Sequence, residues 1–132
     1  MMDETATQSH IRLAAAQSGM VMYRNNVGVA EDKNGRPVRY GLCNDSPQLN
    51  KRIKSSDLIG ITPIVIVPAD VGRTVGVFTA IECKRAGWLY ARDADERAEA
   101  QLRFIEIVQE AGGIGGFASD PAHVAEIVRA WR

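Results

Sequence analysis

The sequence predicts an α/β domain, because helical and strand patterns alternate along a chain of ordinary globular composition. Hydrophobic residues make up 45% of the 132 residues and charged residues 24%, enough apolar surface for a core and too much for a disordered chain. The elements follow in the order helix, β-hairpin, two strands, helix, strand and helix. We therefore expect one domain over residues 1–132, with a mixed β-sheet flanked by helices.

The first half of the chain begins with a helix. Asp3 is placed to cap it, Glu4 lies in its first turn, and Gly19 ends it. The turn signal Lys33-Asn34-Gly35 predicts a hairpin, and the polar stretch near residue 50 has no apolar periodicity. The predicted elements are a helix over residues 4–18, a strand over residues 20–26, a second hairpin arm over residues 37–42 and a loop over residues 44–56.

The second half contains the strongest strand pattern, in which β-branched and apolar residues fill residues 74–84. Asp93 is predicted to start a long helix, with Glu96 three residues later as in a capping box. Gly112-Gly113 then ends that helix, and the stretch from residue 68 to 76 predicts a protruding hairpin. The remaining predicted elements are a strand over residues 64–67, a strand over residues 114–118 and a last helix over residues 119–131, which a Ser-Asp-Pro turn opens.

The charge balance argues against binding of nucleic acid by bulk charge, since 16 basic side chains face 16 acidic ones. The distribution is uneven: residues 20–60 carry seven Lys and Arg against four acids, and residues 91–110 carry six acids against three Arg. This segregation fits either one basic face or surface loops without functional pattern.

Location is predicted from features that point to the cytoplasm. The apolar runs are short, so we expect no transmembrane helix, and the first ten residues do not have the pattern of a signal peptide. The two cysteines, Cys43 and Cys83, have no metal-binding or redox spacing and fit a reducing compartment.

The most informative stretch is Glu82-Cys83-Lys84, at the end of the strong strand pattern. Alternation places Glu82 and Lys84 on one face, and both faces are apolar upstream, as in a central strand covered on both sides. Charged groups at the end of such a strand are costly unless they serve each other or a ligand. The alternative is a strand that has reached solvent with an exposed Glu/Lys pair.

Two further residues complete the candidate chemistry. Asp57 stands before the predicted strand at residues 64–67, which precedes the strand that carries Glu82, so two carboxylates and a backbone carbonyl could hold Mg²⁺ or Mn²⁺ while Lys84 orients or deprotonates water. Alternatively, Asp57 caps a turn. Gln101 lies within the apolar stripe of the long helix and needs a hydrogen-bond partner, which a purely structural contact would also satisfy.

Five strings occur in order between Glu4 and Asp120, namely YRNNVG, RYGLC, SSDLIG, FTAIECK and AQLRFIEIVQEAGG. This ordered set resembles the VRR-NUC family of the PD-(D/E)xK nuclease superfamily, in its stand-alone phage and bacterial form. The resemblance implies a restriction-endonuclease-like α/β core and metal-dependent hydrolysis of DNA phosphodiester bonds. The sequence departs from the superfamily at Ser56, where many members have proline, and in the long gap between Asp57 and Glu82.

The resemblance also assigns roles to individual residues. The catalytic residues that it implies are Asp57, Glu82, Lys84 and Gln101. The Mg²⁺ or Mn²⁺ ligands that it implies are Glu4, Asp57, Glu82 and the backbone carbonyl of Cys83. Glu4 could equally be a partner of the helix dipole, because it lies in the first turn of the predicted helix.

DNA is the expected partner. The candidate contacts are basic or amide residues, each of which could instead be a surface or structural residue: Arg24, Asn25, Asn26, Arg39, Lys51, Arg52 and Lys54. No aromatic ladder for single strands is apparent, and Trp88 and Tyr90 either pack on the core or touch DNA.

Similarity to Holliday-junction resolvases implies a homodimer that cuts branched DNA or four-way junctions. Residues 113–117 and 130–131 are candidate dimer contacts, although a buried strand and an anchored last helix would explain them equally well. A helicase or another DNA-processing partner is expected to supply specificity. The rival functions are a non-cleaving module of the same fold that binds branched DNA, and a small structural subunit.

Overall fold

The computed structural model describes residues 3–132, and the chain is α/β, as the alternating patterns predict. Across those residues it has four α-helices and three two-stranded sheets. It divides into two compact units, with the boundary between Gly60 and Ile61. The expected single domain over residues 1–132 stays a prediction, because compactness by itself does not measure independent folding. None of the helices within residues 3–132 combines the length and the apolarity needed to cross a membrane.

The first unit contains the helices α1 and α2 and four short strands. Their bounds are α1 Glu4–Gln17, β1 Val21–Arg24, β2 Gly28–Glu31, β3 Pro37–Tyr40, α2 Pro47–Arg52 and β4 Leu58–Ile61, whose last residue already belongs to the second unit. The predicted cap of α1 is confirmed, because the Asp3 carboxylate accepts a hydrogen bond of 2.8 Å from the Ala6 N–H. The prediction of a loop over residues 44–56 is wrong. Ser46 caps α2 through the Leu49 N–H, and Pro47 starts the helix.

The hairpin turn and its second arm are predicted correctly, but the first arm is not. β2 pairs antiparallel with β3, and Gly28 lies opposite Tyr40. The turn between them is held by the Asp32 carboxylate, which accepts from the N–H groups of Asn34 and Arg36. β1, the predicted first arm, pairs instead with β4.

The second unit is a βαβα arrangement. Its elements are β5 Thr79–Cys83, α3 Glu96–Glu110, β6 Ile114–Ala118 and α4 His123–Trp131, preceded by a 3₁₀ turn at Pro68–Asp70. β5 and β6 are parallel. A Cβ at Gly115 would meet Ile105 of α3, and a Cβ at Gly116 would meet Ile127 of α4. Because neighbouring residues of a strand face opposite sides, α3 and α4 lie on opposite faces of β6.

Several predicted boundaries are corrected in this unit. Residues 64–67 are extended without a strand partner, and their side chains are 48–84% exposed. Pro63 and Pro68 flank them, and proline lacks the N–H that a sheet ladder needs. α3 is capped by Asp95, whose carboxylate accepts from the Arg97 N–H. Asp93 cannot cap it, since its φ of 59° lies in the left-handed region.

The expected single mixed sheet is also corrected, since the paired strands form three separate sheets. Within the described residues β5 pairs only with β6, and it begins at Thr79 rather than at Thr74. Ile81 is 36% exposed, whereas Ala98, Ile105 and Val108 are buried against the opposite face. β5 is therefore not a central strand covered on both sides, and its covered face is the one that carries Glu82 and Lys84.

Candidate active site

Three of the predicted site residues meet in one hydrogen-bonded chain. Lys84 Nζ donates to Gln101 Oε1 at 2.6 Å, and Gln101 Nε2 donates to Glu82 Oε1 at 2.8 Å. A lysine only donates and a carboxylate only accepts, so one orientation of the amide satisfies both neighbours. We call this arrangement of Glu82, Gln101 and Lys84 the amide bridge. It joins the end of β5 to α3.

The amide bridge is possible because of local geometry at both elements. Alternation along β5 places Glu82 and Lys84 on the face that α3 covers. The buried residues Ala98 and Ile105 pack α3 on the sheet and bring Gln101, on the same stripe, over the strand end. All three bridge residues are half-buried.

The ammonium group of Lys84 also lies beside two aromatic rings. Its Nζ is 5.0 Å from the centroid of the Trp88 ring and 5.7 Å from that of Phe117. The Lys84 N–H donates to the Ala118 carbonyl at 2.8 Å, which fixes the backbone from which the side chain extends. The amide on one side and the rings on the other hold the ammonium in one place.

Glu82 opens onto a groove. The groove has a volume of about 610 Å³ and is formed by β5 and α3, with Gln101, Ala100 and Phe104 among its lining residues. The amide bridge uses one oxygen of Glu82, and no buried side-chain N or O of the described residues lacks a partner. The second oxygen, Oε2, is thus available to solvent or to a ligand.

A backbone oxygen accompanies this carboxylate. The Phe78 carbonyl accepts from the Ile114 N–H, and the Lys84 N–H donates to the Ala118 carbonyl. The backbone N–H and C=O groups of the even-numbered residues in this segment therefore point toward β6. The carbonyl of Cys83 therefore points to the opposite edge, where no strand of the described residues pairs with β5. Glu82 Oε2 and the Cys83 carbonyl are hard oxygen donors, the kind that Mg²⁺ and Mn²⁺ prefer.

The other two predicted metal ligands lie in the first unit. Glu4 is exposed at the first residue of α1, and Asp57 is exposed directly before β4. Asn25 holds the segment that carries Asp57: its N–H donates to the Asp57 carbonyl at 2.8 Å and its Nδ2 to Ser55 and Ser56. Within each unit, the described residues form no cluster of three His, Cys, Asp or Glu side chains placed to share a metal ion.

The candidate DNA contacts divide into two groups. Arg39 is bonded twice to Asn44, at 2.9 and 2.6 Å, and Lys54 Nζ donates to the carbonyl and side chain of Asn50. With Asn25, these residues have structural contacts, which is the alternative that their sequence left open. Lys54 is nevertheless exposed, as are Arg24, Asn26, Lys51 and Arg52.

The sequence pattern did not reveal what holds the aromatic loop after Lys84. Tyr90 Oη donates to Glu99 Oε1 at 2.6 Å, and the Asp93 N–H donates to the same oxygen at 2.9 Å. The hydrogen bond to Glu99 raises the pKa of Tyr90 to about 12, and it lowers the pKa of Glu99. Tyr90 and Glu99 are nine residues apart in different elements, a spacing with no periodic signature.

No protein-family model, no curated protein and no solved structure matches this chain. The amide bridge is therefore interpreted from its own chemistry. It places a lysine with spare donors and a carboxylate with a spare oxygen at the mouth of a groove. Such a pair can bind anionic oxygen atoms and a hard cation side by side.

Proposed function

We propose that the chain is a Mg²⁺- or Mn²⁺-dependent deoxyribonuclease that hydrolyses phosphodiester bonds in DNA. The observation that carries the proposal is the amide bridge, in which Gln101 stands between Glu82 and Lys84 at the end of β5. The three residue types match the ExK and following glutamine that the ordered sequence strings imply. A restriction-endonuclease-like core is part of the same proposal, and the βαβ unit of β5, α3 and β6 is compatible with it.

Glu82 Oε2 and the carbonyl of Cys83 would hold the metal ion. When bound, the ion supplies a Lewis acid for the phosphoryl oxygens and lowers the pKa of bound water. Lys84 has three N–H donors, of which Gln101 takes one, so two are left for a water molecule and a phosphate oxygen. Gln101 keeps Lys84 oriented while leaving the second oxygen of Glu82 open.

Asp57 and Glu4 enter the proposal through the resemblance alone, as further carboxylate ligands. The backbone position of Asp57 is fixed, because the Asn25 N–H donates to its carbonyl at 2.8 Å. Glu4 follows the Asp3 cap, where its carboxylate also complements the dipole of α1.

The proposed substrate is branched DNA or a four-way junction, cut by a homodimer. Two-fold dimers are the commonest homo-oligomers and would cut paired strands together. The predicted dimer contacts already have partners within the chain. β6 lies between α3 and α4, and Trp131 Nε1 donates to the Gly112 carbonyl at 2.9 Å. The proposal therefore names no residue of the dimer surface. Light scattering tests the homodimer, which should have a mass of twice 14.4 kDa.

The test is a nicking assay on fluorescently labelled junction and linear DNA, in EDTA and with added Mg²⁺ or Mn²⁺. We expect no cleavage in EDTA, cleavage with either ion, and preference for the junction. Glu82→Gln keeps an acceptor for Gln101 but loses the charge, and should abolish cleavage with DNA binding retained. Lys84→Ala should lower the rate by orders of magnitude.

The matched control is Glu106→Gln, which removes an exposed carboxylate from α3, the helix that carries Gln101. It should cut at the unmodified rate. Cleavage in EDTA, or cleavage at full rate by Lys84→Ala, would refute the proposed site. Junction binding without cleavage under any metal condition would favour the non-cleaving DNA-binding module.

A further inference from the structure

Three aromatic side chains form a continuous surface beside Lys84. The Trp88 and Phe117 ring centroids are 4.9 Å apart, and the Tyr90 and Phe117 rings are nearly parallel at 5.9 Å. We call these three residues the aromatic patch. The patch lies on the loop after β5 and on β6, and Glu99 of α3 fixes its outer ring through the Tyr90 hydroxyl.

The aromatic patch lines a cavity rather than packing entirely into the core. The cavity has a volume of about 240 Å³. Tyr90 is 38% exposed and Leu89, on the rim, is 84% exposed. Sites for drug-sized ligands usually begin near about 300 Å³, so this cavity suits one planar ring and not an extended molecule.

The polar groups of the cavity favour a neutral ring over a phosphate group. His123 Nδ1 accepts a hydrogen bond of 3.0 Å from the Ser119 N–H, which leaves the proton of a neutral imidazole on Nε2. Glu126 adds a carboxylate to the lining. A phosphate would be repelled by that carboxylate, whereas the N–H and carbonyl groups of a nucleobase match a histidine donor and a carboxylate acceptor.

Lys84 connects the aromatic patch with the amide bridge. Its ammonium lies 5.0 Å from the centroid of the Trp88 ring and 2.6 Å from Gln101 Oε1, so one cation adjoins both. A nucleotide with its base on the aromatic patch would carry its negative phosphate near that cation. The charges are thus complementary along the path from the cavity to the proposed catalytic lysine.

We propose that the aromatic patch is a binding subsite for one unpaired base of the DNA strand that is held at Lys84. This inference rests on the proposed function. A base inside a duplex has both faces stacked and could not enter, so the subsite selects single-stranded or branched DNA. Stacking on an aromatic ring is tolerant of sequence, because every base has a π-face.

The experiment is a fluorescence titration in EDTA, where no cleavage is expected. Trp131→Phe leaves Trp88 as the single tryptophan, since the chain has two. A short single-stranded oligonucleotide should quench Trp88, and a blunt duplex of the same sequence should quench it little. A strand of equal length without bases keeps every phosphate and should bind about 5- to 150-fold more weakly.

Paired substitutions at Tyr90 separate the ring from its hydroxyl. Tyr90→Leu keeps apolar volume but removes the ring, and we expect about tenfold weaker binding of the single strand. Tyr90→Phe keeps the ring and loses only the bond to Glu99, and should bind close to the unmodified chain. Circular dichroism checks that both variants are folded.

Equal binding of the base-free strand would overturn the subsite, and so would equal affinity of Tyr90→Leu and Tyr90→Phe. The base-free comparison requires no substitution at the patch, so it decides the question even if Tyr90→Leu does not fold. Base-dependent quenching in a protein that never cleaves DNA would keep the subsite and refute the nuclease. Cleavage without base-dependent quenching would do the reverse.

Discussion

Removal of the Gln101 amide is the most direct test of the amide bridge. Gln101→Ala deletes two hydrogen bonds, of 2.6 and 2.8 Å, each of which has a charged partner. Hydrogen bonds to charged groups contribute about 1.5–3 kcal/mol when buried. Because all three residues are half-buried, water replaces part of this loss, and we expect the free energy of unfolding to fall by about 2 kcal/mol in total.

The assay is urea denaturation followed by circular dichroism, within a double-mutant cycle. Lys84→Met removes the ammonium but keeps the aliphatic stem against Trp88. If Lys84 and Gln101 interact, the double variant should lose about 1 kcal/mol less unfolding free energy than the sum of the losses in the two single variants. In a thermal scan, a loss of about 2 kcal/mol corresponds to a decrease in Tm of about 6–10 °C for a chain of this length.

The control is Glu106→Ala, an exposed change on the same helix, which should alter the free energy of unfolding by less than about 0.5 kcal/mol. Additive losses for Gln101→Ala and Lys84→Met, to within about 0.3–0.5 kcal/mol, would show that the two side chains are independent. That result would refute the amide bridge and remove the main support for the proposed nuclease.

Two further predictions concern pH and packing. The bond to Glu99 raises the pKa of Tyr90 from 10.0 to about 12, so its stabilisation is complete below pH 10 and is lost as the pH rises through about 12. The ultraviolet absorbance of tyrosinate should show this late transition, and Glu99→Gln should move it toward pH 10; an unchanged midpoint would contradict the bond. Gly60→Ala places a methyl group against the Val21 carbonyl of the paired strand and should cost about 2 kcal/mol of unfolding free energy. Gly76→Ala, in open space, should be neutral or stabilising by about 0.4–1 kcal/mol in the same urea titration, and equal effects at both glycines would be inconsistent with the β1–β4 packing.

Local signals in the sequence were sufficient for α1, α3 and α4 and for one face of the site, but not for α2. The Asp3 cap and the strand at residues 114–118 follow from residues a few positions apart. Alternation placed Glu82 and Lys84 on one face of β5, and the helical stripe indicated that Gln101 needs a partner. Each of these inferences depends on the period of a single element.

Strand pairing was decided only by the tertiary structure, because a strand needs the backbone of another segment. Residues 64–67 have the strongest β-branched run but no partner, while β2 and β4, which are equally short, are paired. Sequence alone could not say which of several apolar segments would meet.

The sequence by itself determined which chemical groups are present at the end of β5 and on which side of the strand they lie. Only the tertiary structure decided that Gln101 stands between Glu82 and Lys84, that Asn25 and Arg39 have internal partners, and that an aromatic patch adjoins the lysine. The physical reason is that side-chain direction follows from the local backbone, whereas contacts between elements follow from how their buried faces pack.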